Sequence, residues 1–313
     1  MKFGLHFVPA EAAPESSMLR ENPDWTSSST YEYFGAESIC LSHAPVQNFM
    51  QQQVRQIVER YHPDWVTQDG ENLVKMCTKE THTHNPANSN WSNSVEGLDA
   101  LVEFSRREFP NVIWENNGDG GTMSTFAAVR RYATFGSCDA CEHMPRRQAV
   151  YGMSYVFPPR FIDRYMEEPP IPFTTRSSMF GGPWILMQKI TEWSPEQIAF
   201  LKREAAIYKA LRALIRDGKV FHLSDRPDGY RIEAMESFHP EQNRGVVFVY
   251  RPDSTVNAIT IYPRGLRPEG RYAVTYQESR ASFNRTGAEL MSQGIRVQLP
   301  TKNFAEIVYI NGY

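Results

Sequence analysis

The chain has 313 residues, a length that fits one large domain with a smaller one beside it. Its formal net charge is −3 with no block of basic residues, which argues against nucleic acid and anionic membranes as main partners. No apolar run approaches the length of a membrane span. The compartment is left open, with the cytoplasm slightly favoured because these residues contain no signal peptide.

Strand and helix patterns alternate through the first two thirds of the chain. Short apolar runs predict six strands, near residues 3, 66, 113, 134, 155 and 179. Helical spacing begins at Pro45, a second helix begins near Ser94, and a third begins at Ser194 with a capping box to Gln197. The apolar stripe of the first helix is Val46, Met50, Val54, Ile57, Val58 and Tyr61. The alternation predicts a parallel β/α barrel, although an eight-stranded barrel needs two more strands.

The pattern changes after Gly218, which ends the third helix. Short alternating strands follow, separated by turn sequences such as Arg251-Pro252-Asp253. These strands are predicted at residues 231–234, 246–250, 258–262 and 272–276. Strands of this length with frequent turns are typical of an antiparallel β-sandwich. We therefore predict a catalytic domain over residues 1–217 and a β-domain over residues 218–313.

Two aspartates follow predicted strands. Asp69 ends the strand near residue 66, and Asp139 follows the strand near residue 134. Loops after parallel strands gather at one end of a β/α fold, so two carboxylates placed there can act on one substrate. A carboxylate pair is the minimal equipment for glycoside hydrolysis. Aspartates at strand ends are also common turn and helix-cap residues, so this alternative stays open.

Further polar side chains accompany the two aspartates. Asn116, Asn117 and Asp119 lie in a glycine-rich loop after the strand near residue 113, where they can bind sugar hydroxyls or simply form turns. Glu142 can help to hold the pocket, or can favour a helix start through the helix dipole. A general acid must hold its proton, and the weakly polar residue Cys138 beside Asp139 favours desolvation there.

The 4 cysteines allow two metal hypotheses, and both are set aside at this stage. Cys138 and Cys141 have C-x-x-C spacing, but no second pair completes a zinc site. Cys77 with His82 and His84 could bind a metal, yet a polar loop with two solvated histidines is the simpler interpretation. No metal and no cofactor is therefore predicted.

Seven short landmarks occur in the order in which they appear in glycoside hydrolase family 36, the melibiases or α-galactosidases. The chain resembles that family's barrel from about its third strand onward, and then its C-terminal β-domain. The landmarks are KFGLHFVPAE at 2–11 (family KFGLWFEPE), NPDW at 22–25 (HPDW), DWVTQD at 64–69 (DYIKWD), ENNGDGG at 115–121 (ESCSGGGG), CDACE at 138–142 (SDNTD), and YVFPP at 155–159 and FGG at 180–182 (the last two barrel strands).

The resemblance implies a (β/α)8 TIM-type barrel whose first two β/α units are missing from this chain, followed by a C-terminal antiparallel β-sandwich. It implies a retaining α-glycosidase, α-galactosidase-like, acting on a carbohydrate substrate, with Asp69 as nucleophile and Asp139 as acid/base. Retention requires the two carboxyl groups to lie roughly 5–5.5 Å apart, whereas roughly 6.5–9.5 Å would indicate inversion. The substrate-binding residues proposed with them are Glu71, Asn116, Asn117, Asp119, Glu142 and Trp25.

Several residues depart from the family pattern. Two of the replaced residues are charged donors to sugar hydroxyls in the family, and each such hydrogen bond is worth about 1.5–3 kcal/mol. The replacements are Thr67 for Lys, Gln68 for Trp, Glu71 for Asn, Asn117 for Cys, and Thr122-Met123 for Arg. The sugar is therefore left open, and the alternative is a catalytically inactive or truncated carbohydrate-binding relative. The sequence also leaves a homo-oligomer open.

Overall fold

The computed structural model describes residues 2–29, 35–70, 76–85, 93–118, 124–139 and 142–313, with the side chains of residues 93–95 outside this description. The chain forms two compact units, Met1–Gly136 and Ser137–Tyr313. Each unit has at least one apolar core of its own. A domain boundary near residue 217 stays a prediction.

The first unit is organised around parallel strands. Its elements are β1 (Gly4–Phe7), β2 (Glu11–Ala12), α1 (Ser17–Glu21), β3 (Glu37–Ser38), α2 (Ala44–Tyr61), β4 (Trp65–Gln68), α3 (Asn93–Glu108), β5 (Ile113–Asn116), α4 (Phe126–Arg131) and β6 (Thr134–Phe135). The sheet order is β1-β4-β5-β6, and every pairing in it is parallel. The strands predicted near residues 3, 66, 113 and 134 are thus confirmed. An unpredicted antiparallel pairing of β2 with β3 lies outside this sheet.

Helix α2 shows how the core of this unit forms. Val46, Met50, Val54 and Val58 repeat at helical spacing and are buried against the sheet and α3. Tyr61, the last residue of the predicted stripe, is instead 48% exposed. The following cap residue adopts a left-handed conformation, and a proline comes directly after it, so the helix stops at this point.

The second unit combines helices with antiparallel strands. Its elements are α5 (His143–Met153), β7 (Arg164–Met166), α6 (Pro172–Ser177), β8 (Trp184–Leu186), α7 (Pro195–Asp217), β9 (Lys219–His222), β10 (Glu233–His239), β11 (Arg244–Arg251), β12 (Ala258–Ile261), β13 (Arg271–Tyr276), β14 (Ser282–Thr286), α8 (Gly287–Gln293), β15 (Ile295–Gln298) and β16 (Phe304–Gly312). The predicted capping box of α7 is confirmed, since Ser194 and Gln197 exchange hydrogen bonds of 2.9 and 3.3 Å.

Two predicted strands of this unit are wrong in position. Residues 154–157 continue α5 into a turn, and Tyr155 and Val156 are 66% and 52% exposed, so they have no core to cover. The actual strand is β7, which pairs in parallel with β8. Residues 178–183 also form turns and bends, in which a Cβ at Gly181 would lie 2.8 Å from the Ile162 carbonyl and one at Gly182 would lie 2.8 Å from the Arg160 carbonyl. In both places a run of apolar residues before proline or glycine predicted a strand, but these residues form turns next to the actual strands.

The predicted antiparallel sheet of the C-terminal part is confirmed. Six strands pair in the order β14-β13-β16-β11-β10-β9, and β12 pairs separately with β15. Strand β11 is buried on both faces: Val247 and Val249 pack into a core shared with β12, β15 and α8. Val246 and Phe248 face a second core that includes α6 and α7. Alternate residues therefore serve two cores, which explains the continuous apolar run.

Candidate active site

The carboxyl ends of the parallel strands in the first unit present polar residues in one row. Asp69 donates its backbone N–H to Phe7 (3.1 Å), and Asn117 donates to Gln68 (2.8 Å). Gly136 donates to Asn116 (2.8 Å), so the pairing of neighbouring strands continues one residue past their ends. Asp69, Asn117 and Gly136 consequently lie side by side at one edge of the sheet, where sites of parallel β/α folds form.

Asp69 is presented by a turn that requires glycine. Gly70 has φ +118°, a conformation that L-residues rarely adopt. A Cβ at Gly70 would also lie 2.8 Å from a Val8 methyl group and 2.9 Å from Glu11 Oε1. The Gly70 N–H donates to Asp69 Oδ1 at 2.8 Å, and the Asp69 side chain keeps 29% of its surface exposed. The carboxylate is therefore held by its own turn but stays accessible.

A histidine that the sequence analysis missed lies against Asp69. His6 Nδ1 is 3.6 Å from Asp69 Oδ2. In the parallel register His6 is opposite Thr67, two residues before Asp69, so both side chains belong to the same face of the sheet. That register could have found it once β1 and β4 were paired. When protonated, His6 stabilises the Asp69 carboxylate; when neutral, it offers a polar contact to a ligand.

A buried carboxylate lies one layer below this edge. Glu115 accepts hydrogen bonds from Trp65 Nε1 (2.5 Å) and Thr67 Oγ1 (2.8 Å), and is 1% exposed. Thr67 occupies the position of the family lysine, and its hydroxyl proton is committed to Glu115. Thr67 therefore stabilises the sheet beneath Asp69 through its hydrogen bond to Glu115.

The two asparagines after β5 have different environments. Asn116 is buried and its Oδ1 accepts the N–H of Gly118 (2.9 Å), the turn interaction anticipated as the alternative. Asn117 is 8% exposed, and within the described residues its buried Oδ1 has no hydrogen-bond partner. A buried amide oxygen at the sheet edge is suited to accept a ligand hydroxyl. Binding of substrate by either residue stays a prediction.

Gly136 leaves the space that the Asn117 amide occupies. A Cβ at Gly136 would lie 1.9 Å from Asn117 Oδ1, so Gly136→Ala must displace that amide. We expect a loss of about 1–3 kcal/mol in unfolding free energy and a lower kcat/KM on any substrate that Asn117 contacts. Gly152→Ala is the matched control, because nothing lies within 4 Å of its added Cβ and it sits in α5. Urea unfolding of both variants checks this, and equal stabilities would contradict it.

Trp25 is packed as part of the core edge. Its ring lies 5.4 Å from that of Phe49 and contacts the apolar core of the first unit. The residue ends a short 3-10 turn, Pro23–Trp25, and is only half-buried. Its predicted contact with sugar is untested.

The second carboxylate motif opens the second unit. Asp139 and Glu142 are both exposed, and Glu142 is the N-cap residue of α5 without a side-chain capping bond. The preceding Ser137 is buried and donates to the carbonyl of Asp163 (3.3 Å). Since Asp139 is exposed in this structure, the desolvation proposed for it stays a prediction. Glu71 and Asp119 lie outside the described residues.

Two arginines that follow this motif in the chain are paired with carboxylates. Arg146 donates to Glu168 (2.8 Å) and Arg147 donates to Glu233 (2.6 Å). His143 Nδ1 also lies 2.5 Å from Glu168, and this histidine and Arg146 lower the pKa of Glu168 against the opposing effect of burial. Both guanidinium groups are buried, not at the rim of the site. They anchor α5, the helix that follows Asp139.

One cluster of possible metal ligands exists among the described residues, and it lies in the first unit. Cys40, Cys77, His82 and His84 place their ligand atoms within 4.8 Å of one another. The interpretation of His82 and His84 as solvated is wrong for His82, which is 8% exposed. Cys40 was missed, because it is distant in sequence from the other three residues.

The fold and site define an α/β protein with an accessible carboxylate at the carboxyl edge of a parallel sheet, joined to an antiparallel β-region. Two family models match this chain: the melibiase model over residues 1–218 and the glycosyl hydrolase family 36 C-terminal domain over residues 232–310. The chain belongs to the melibiase family, glycoside hydrolase family 36.

Curated relatives are similar at low identity. An α-galactosidase of Escherichia coli is 23% identical over 292 residues, which cover 87% of this chain and 39% of the relative. A probable α-galactosidase C of Aspergillus oryzae is 22% identical over 325 residues, covering 99% and 41%. The chain thus spans about two fifths of the length of these relatives.

Solved structures show the same fold over the whole chain. The family 36 α-galactosidase AgaA of Geobacillus stearothermophilus superimposes with a TM-score of 0.88 at 16% identity, covering 100% of this chain and 45% of that one. The α-galactosidase of Lactobacillus brevis gives a TM-score of 0.86 at 18% identity, covering 100% and 44%. Among the described residues, no helix is both long and apolar enough to cross a membrane.

Proposed function

We propose that this chain carries the catalytic residues of a retaining α-glycosidase, α-galactosidase-like, that hydrolyses terminal α-linked sugars from oligosaccharides or glycoconjugates. The observation that carries the proposal is the placement of Asp69: a half-buried carboxylate at the carboxyl end of a central parallel strand, held by a glycine turn, with His6 Nδ1 3.6 Å from its Oδ2. It occurs in a member of a glycoside hydrolase family.

The names of the relatives support the class of substrate. Each curated relative described above is named an α-galactosidase. Structures of AgaA variants carry raffinose, stachyose or 1-deoxygalactonojirimycin. An α-galactoside is therefore the first substrate to test on this chain.

In the proposed mechanism Asp69 attacks the anomeric carbon while Asp139 donates a proton to the leaving oxygen. This step breaks the glycosidic bond and forms a covalent glycosyl ester on Asp69. Asp139, now a carboxylate, takes a proton from water, which attacks the same carbon and releases Asp69. Two inversions leave the anomeric configuration of the product unchanged. The exposure of Asp139 is compatible with proton exchange but leaves its desolvation to the bound substrate.

Recognition of the sugar is proposed to rest on amides more than on cations. Asn117 offers a buried carbonyl oxygen, and Asn116, Asp119, Glu71, Glu142 and Trp25 complete the proposed substrate-binding residues. Thr67 does not take over the role of the family lysine, because its proton goes to Glu115. We therefore expect weaker ground-state binding of galactose, with His6 as the basic group placed against the nucleophile.

The finer architecture belongs to the same proposal. The parallel strands are proposed to belong to an eight-stranded β/α barrel whose first two units are not among these 313 residues. Similarity to family 36 structures over the full chain supports this. A boundary near residue 217 is supported by the positions of the two family matches. Self-association and the compartment stay predictions.

A panel of 4-nitrophenyl α-glycosides, including galactoside, glucoside and N-acetylgalactosaminide, tests the function. We expect hydrolysis of at least one α-glycoside, release of the α-anomer first in proton NMR, and inhibition by the iminosugar matching that substrate. The β-anomer as first product would contradict retention. Sugar binding in calorimetry without any turnover would instead support the alternative, an inactive carbohydrate-binding relative.

A further inference from the structure

Two cysteines and two histidines from separate segments meet in the first unit. Cys40 lies between β3 and α2, whereas Cys77, His82 and His84 belong to the segment of residues 76–85 that follows β4. Their four ligand atoms lie within 4.8 Å of one another. Both cysteines are fully buried, His82 is nearly so, and His84 is half-buried. We call these four residues the Cys2His2 cluster.

The distances within the cluster approach those of a tetrahedral zinc site. His82 Nε2 lies 3.1 Å from His84 Nε2 and 3.4 Å from Cys77 Sγ. Zinc bonds of about 2.0–2.1 Å to nitrogen and 2.3 Å to sulfur give tetrahedral edges of about 3.3 Å between nitrogens and about 3.5 Å between nitrogen and sulfur. Binding of one ion would therefore need only small movements of these side chains.

The orientation of His82 is fixed by a group outside the cluster. Its Nδ1 lies 2.8 Å from the backbone carbonyl of Asp24, which can only accept a hydrogen bond. Nδ1 of a neutral His82 therefore carries the proton, and the lone pair of Nε2 points at Cys77 and His84. A carbonyl or carboxylate on the second ring nitrogen is the usual partner of a metal-bound histidine.

Further contacts hold the cluster from its outer side. The His43 ring stacks on His82 with centroids 4.5 Å apart, and His43 Nδ1 hydrogen-bonds the carbonyl of Thr83 (3.1 Å). The Cys40 N–H donates to the carbonyl of Trp25 (2.9 Å). These partners fix the backbone on both sides of the ligands before any ion binds.

A structure without a metal accounts for only part of this arrangement. A hydrogen bond from His84 to His82 would explain the 3.1 Å contact between their nitrogens. Hydrogen bonds from Cys77 to Cys40 and to His84 would account for further contacts, but they would leave two thiols and two imidazoles packed together in a buried site. A cation that takes all four lone pairs explains the convergence of sulfur and nitrogen together.

We propose that Cys40, Cys77, His82 and His84 bind one structural Zn²⁺ ion. Mixed thiolate and imidazole ligands select zinc over hard cations such as Mg²⁺ and Ca²⁺. Two thiolates balance the charge of the ion, and four protein ligands leave no open position for a substrate or a reacting water. The site is therefore structural, and it takes no part in the proposed glycosidase chemistry.

The ion would tie three loop segments of the unit together. The cluster joins the chain at Cys40 to the segment of residues 76–85, in which Cys77 lies eight residues after Asp69. The hydrogen bonds to Asp24 and Trp25 add the turn that precedes β3. Crosslinks between distant segments stabilise mainly by restricting the unfolded chain. Zinc would thus fix the segment that follows the proposed nucleophile in the chain to the segments at Asp24 and Cys40.

Zinc content of the purified 313-residue chain, prepared without a metal-binding tag, tests the proposal. Elemental analysis should find about one zinc per chain. Cys40→Ser and Cys77→Ser should each lower the zinc content at least about tenfold. Loss of a residue that only hydrogen-bonds a metal ligand already costs about 10–100-fold in metal affinity, so loss of a ligand itself should cost at least as much. Cys138→Ser is the matched control, because Cys138 lies in the other unit, and it should keep the zinc.

Cobalt substitution gives a readout that does not depend on how the protein was grown. Cobalt(II) added to chelator-treated wild-type protein should give the strong visible bands of a tetrahedral site together with a thiolate charge-transfer band. Circular dichroism checks that the chelator-treated wild-type protein is still folded. The cobalt spectrum is recorded on the wild type, so the test does not depend on whether the cysteine variants fold. An octahedral, weakly coloured cobalt complex would overturn the proposal.

Two other results would also overturn it. One is folded protein with reduced thiols that contains less than about 0.1 zinc per chain and takes up none. The other is a Cys40–Cys77 disulfide whose reduction does not restore metal binding. Zinc content is measured independently of turnover, so a zinc-loaded but inactive chain would support this site and contradict only the proposed glycosidase function.

Discussion

Asp69→Ala is expected to abolish turnover of every glycoside, with a loss of at least about 10⁴-fold in kcat. Without the carboxylate no covalent glycosyl-enzyme can form, whatever the leaving group. Asp64→Asn is the matched control, because Asp64 precedes the same strand at its opposite end and binds Lys2 and the Phe3 backbone. Initial rates on a 4-nitrophenyl glycoside and on raffinose measure both variants.

Azide gives the Asp69 prediction its sharpest form. In Asp69→Ala, azide can enter the space of the missing carboxylate and attack the anomeric carbon once, so the glycosyl azide should have the inverted configuration. An azide product that retains configuration would contradict the assignment of Asp69. Full activity of Asp69→Ala without azide would contradict it outright.

Asp139→Ala should reduce activity in proportion to the need for leaving-group protonation. General acid catalysis contributes about 10²–10⁴-fold, and we expect the upper part of this range for raffinose, whose leaving group is a poor one. A 4-nitrophenyl leaving group needs little protonation, so the first step should be nearly unimpaired and the glycosyl-enzyme should accumulate. Asp253→Ala, an exposed aspartate of the same unit, is the control.

Azide should also rescue Asp139→Ala, but with the opposite stereochemistry. It replaces the base-activated water in the second step, so the glycosyl azide should retain the configuration of the substrate. Equal losses on activated and unactivated substrates, with no effect of azide, would contradict the role of Asp139. Glu142, three residues further on and also exposed, would then be the next carboxylate to substitute.

Most helices and strands could be predicted from the sequence because they depend on interactions between residues close together in the chain. The stripe of α2, the capping box of α7 and the strand at residues 246–250 are set by side chains within a few residues, so the sequence predicts them. The positions of β7 and β8 were missed because each strand has only three residues. Whether so short a segment forms a strand depends on the neighbouring strand with which it pairs, and the local sequence does not show that neighbour.

The parts of the site that were missed depend on contacts between distant segments. His6 approaches Asp69 only through the register of β1 with β4. Outside the site, Arg176 of α6 and Glu204 of α7 likewise form a fully buried ion pair across 28 residues. A buried charge is costly unless it is paired, so charged residues are expected at the surface. The sequence around either residue therefore does not indicate that it is buried, because its partner lies far away in the chain.

The Cys2His2 cluster shows the same limit. Its residues have none of the short C-x-x-C or H-x₃-H spacings by which zinc sites are recognised. Cys77, His82 and His84 gave a weak signal in sequence, and the fourth ligand arrives 37 residues earlier at Cys40. Only the fold brings it into range.

The most direct test of the nucleophile is covalent labelling with a galactose-configured cyclitol epoxide, followed by proteolysis and mass spectrometry. Our account predicts one adduct per chain on Asp69, blocked by 1-deoxygalactonojirimycin and absent from Asp69→Ala. Glu11 and Glu115 are the other carboxylates that the structure places near this edge of the sheet. An adduct on either of them, or undiminished labelling of Asp69→Ala, would contradict the account.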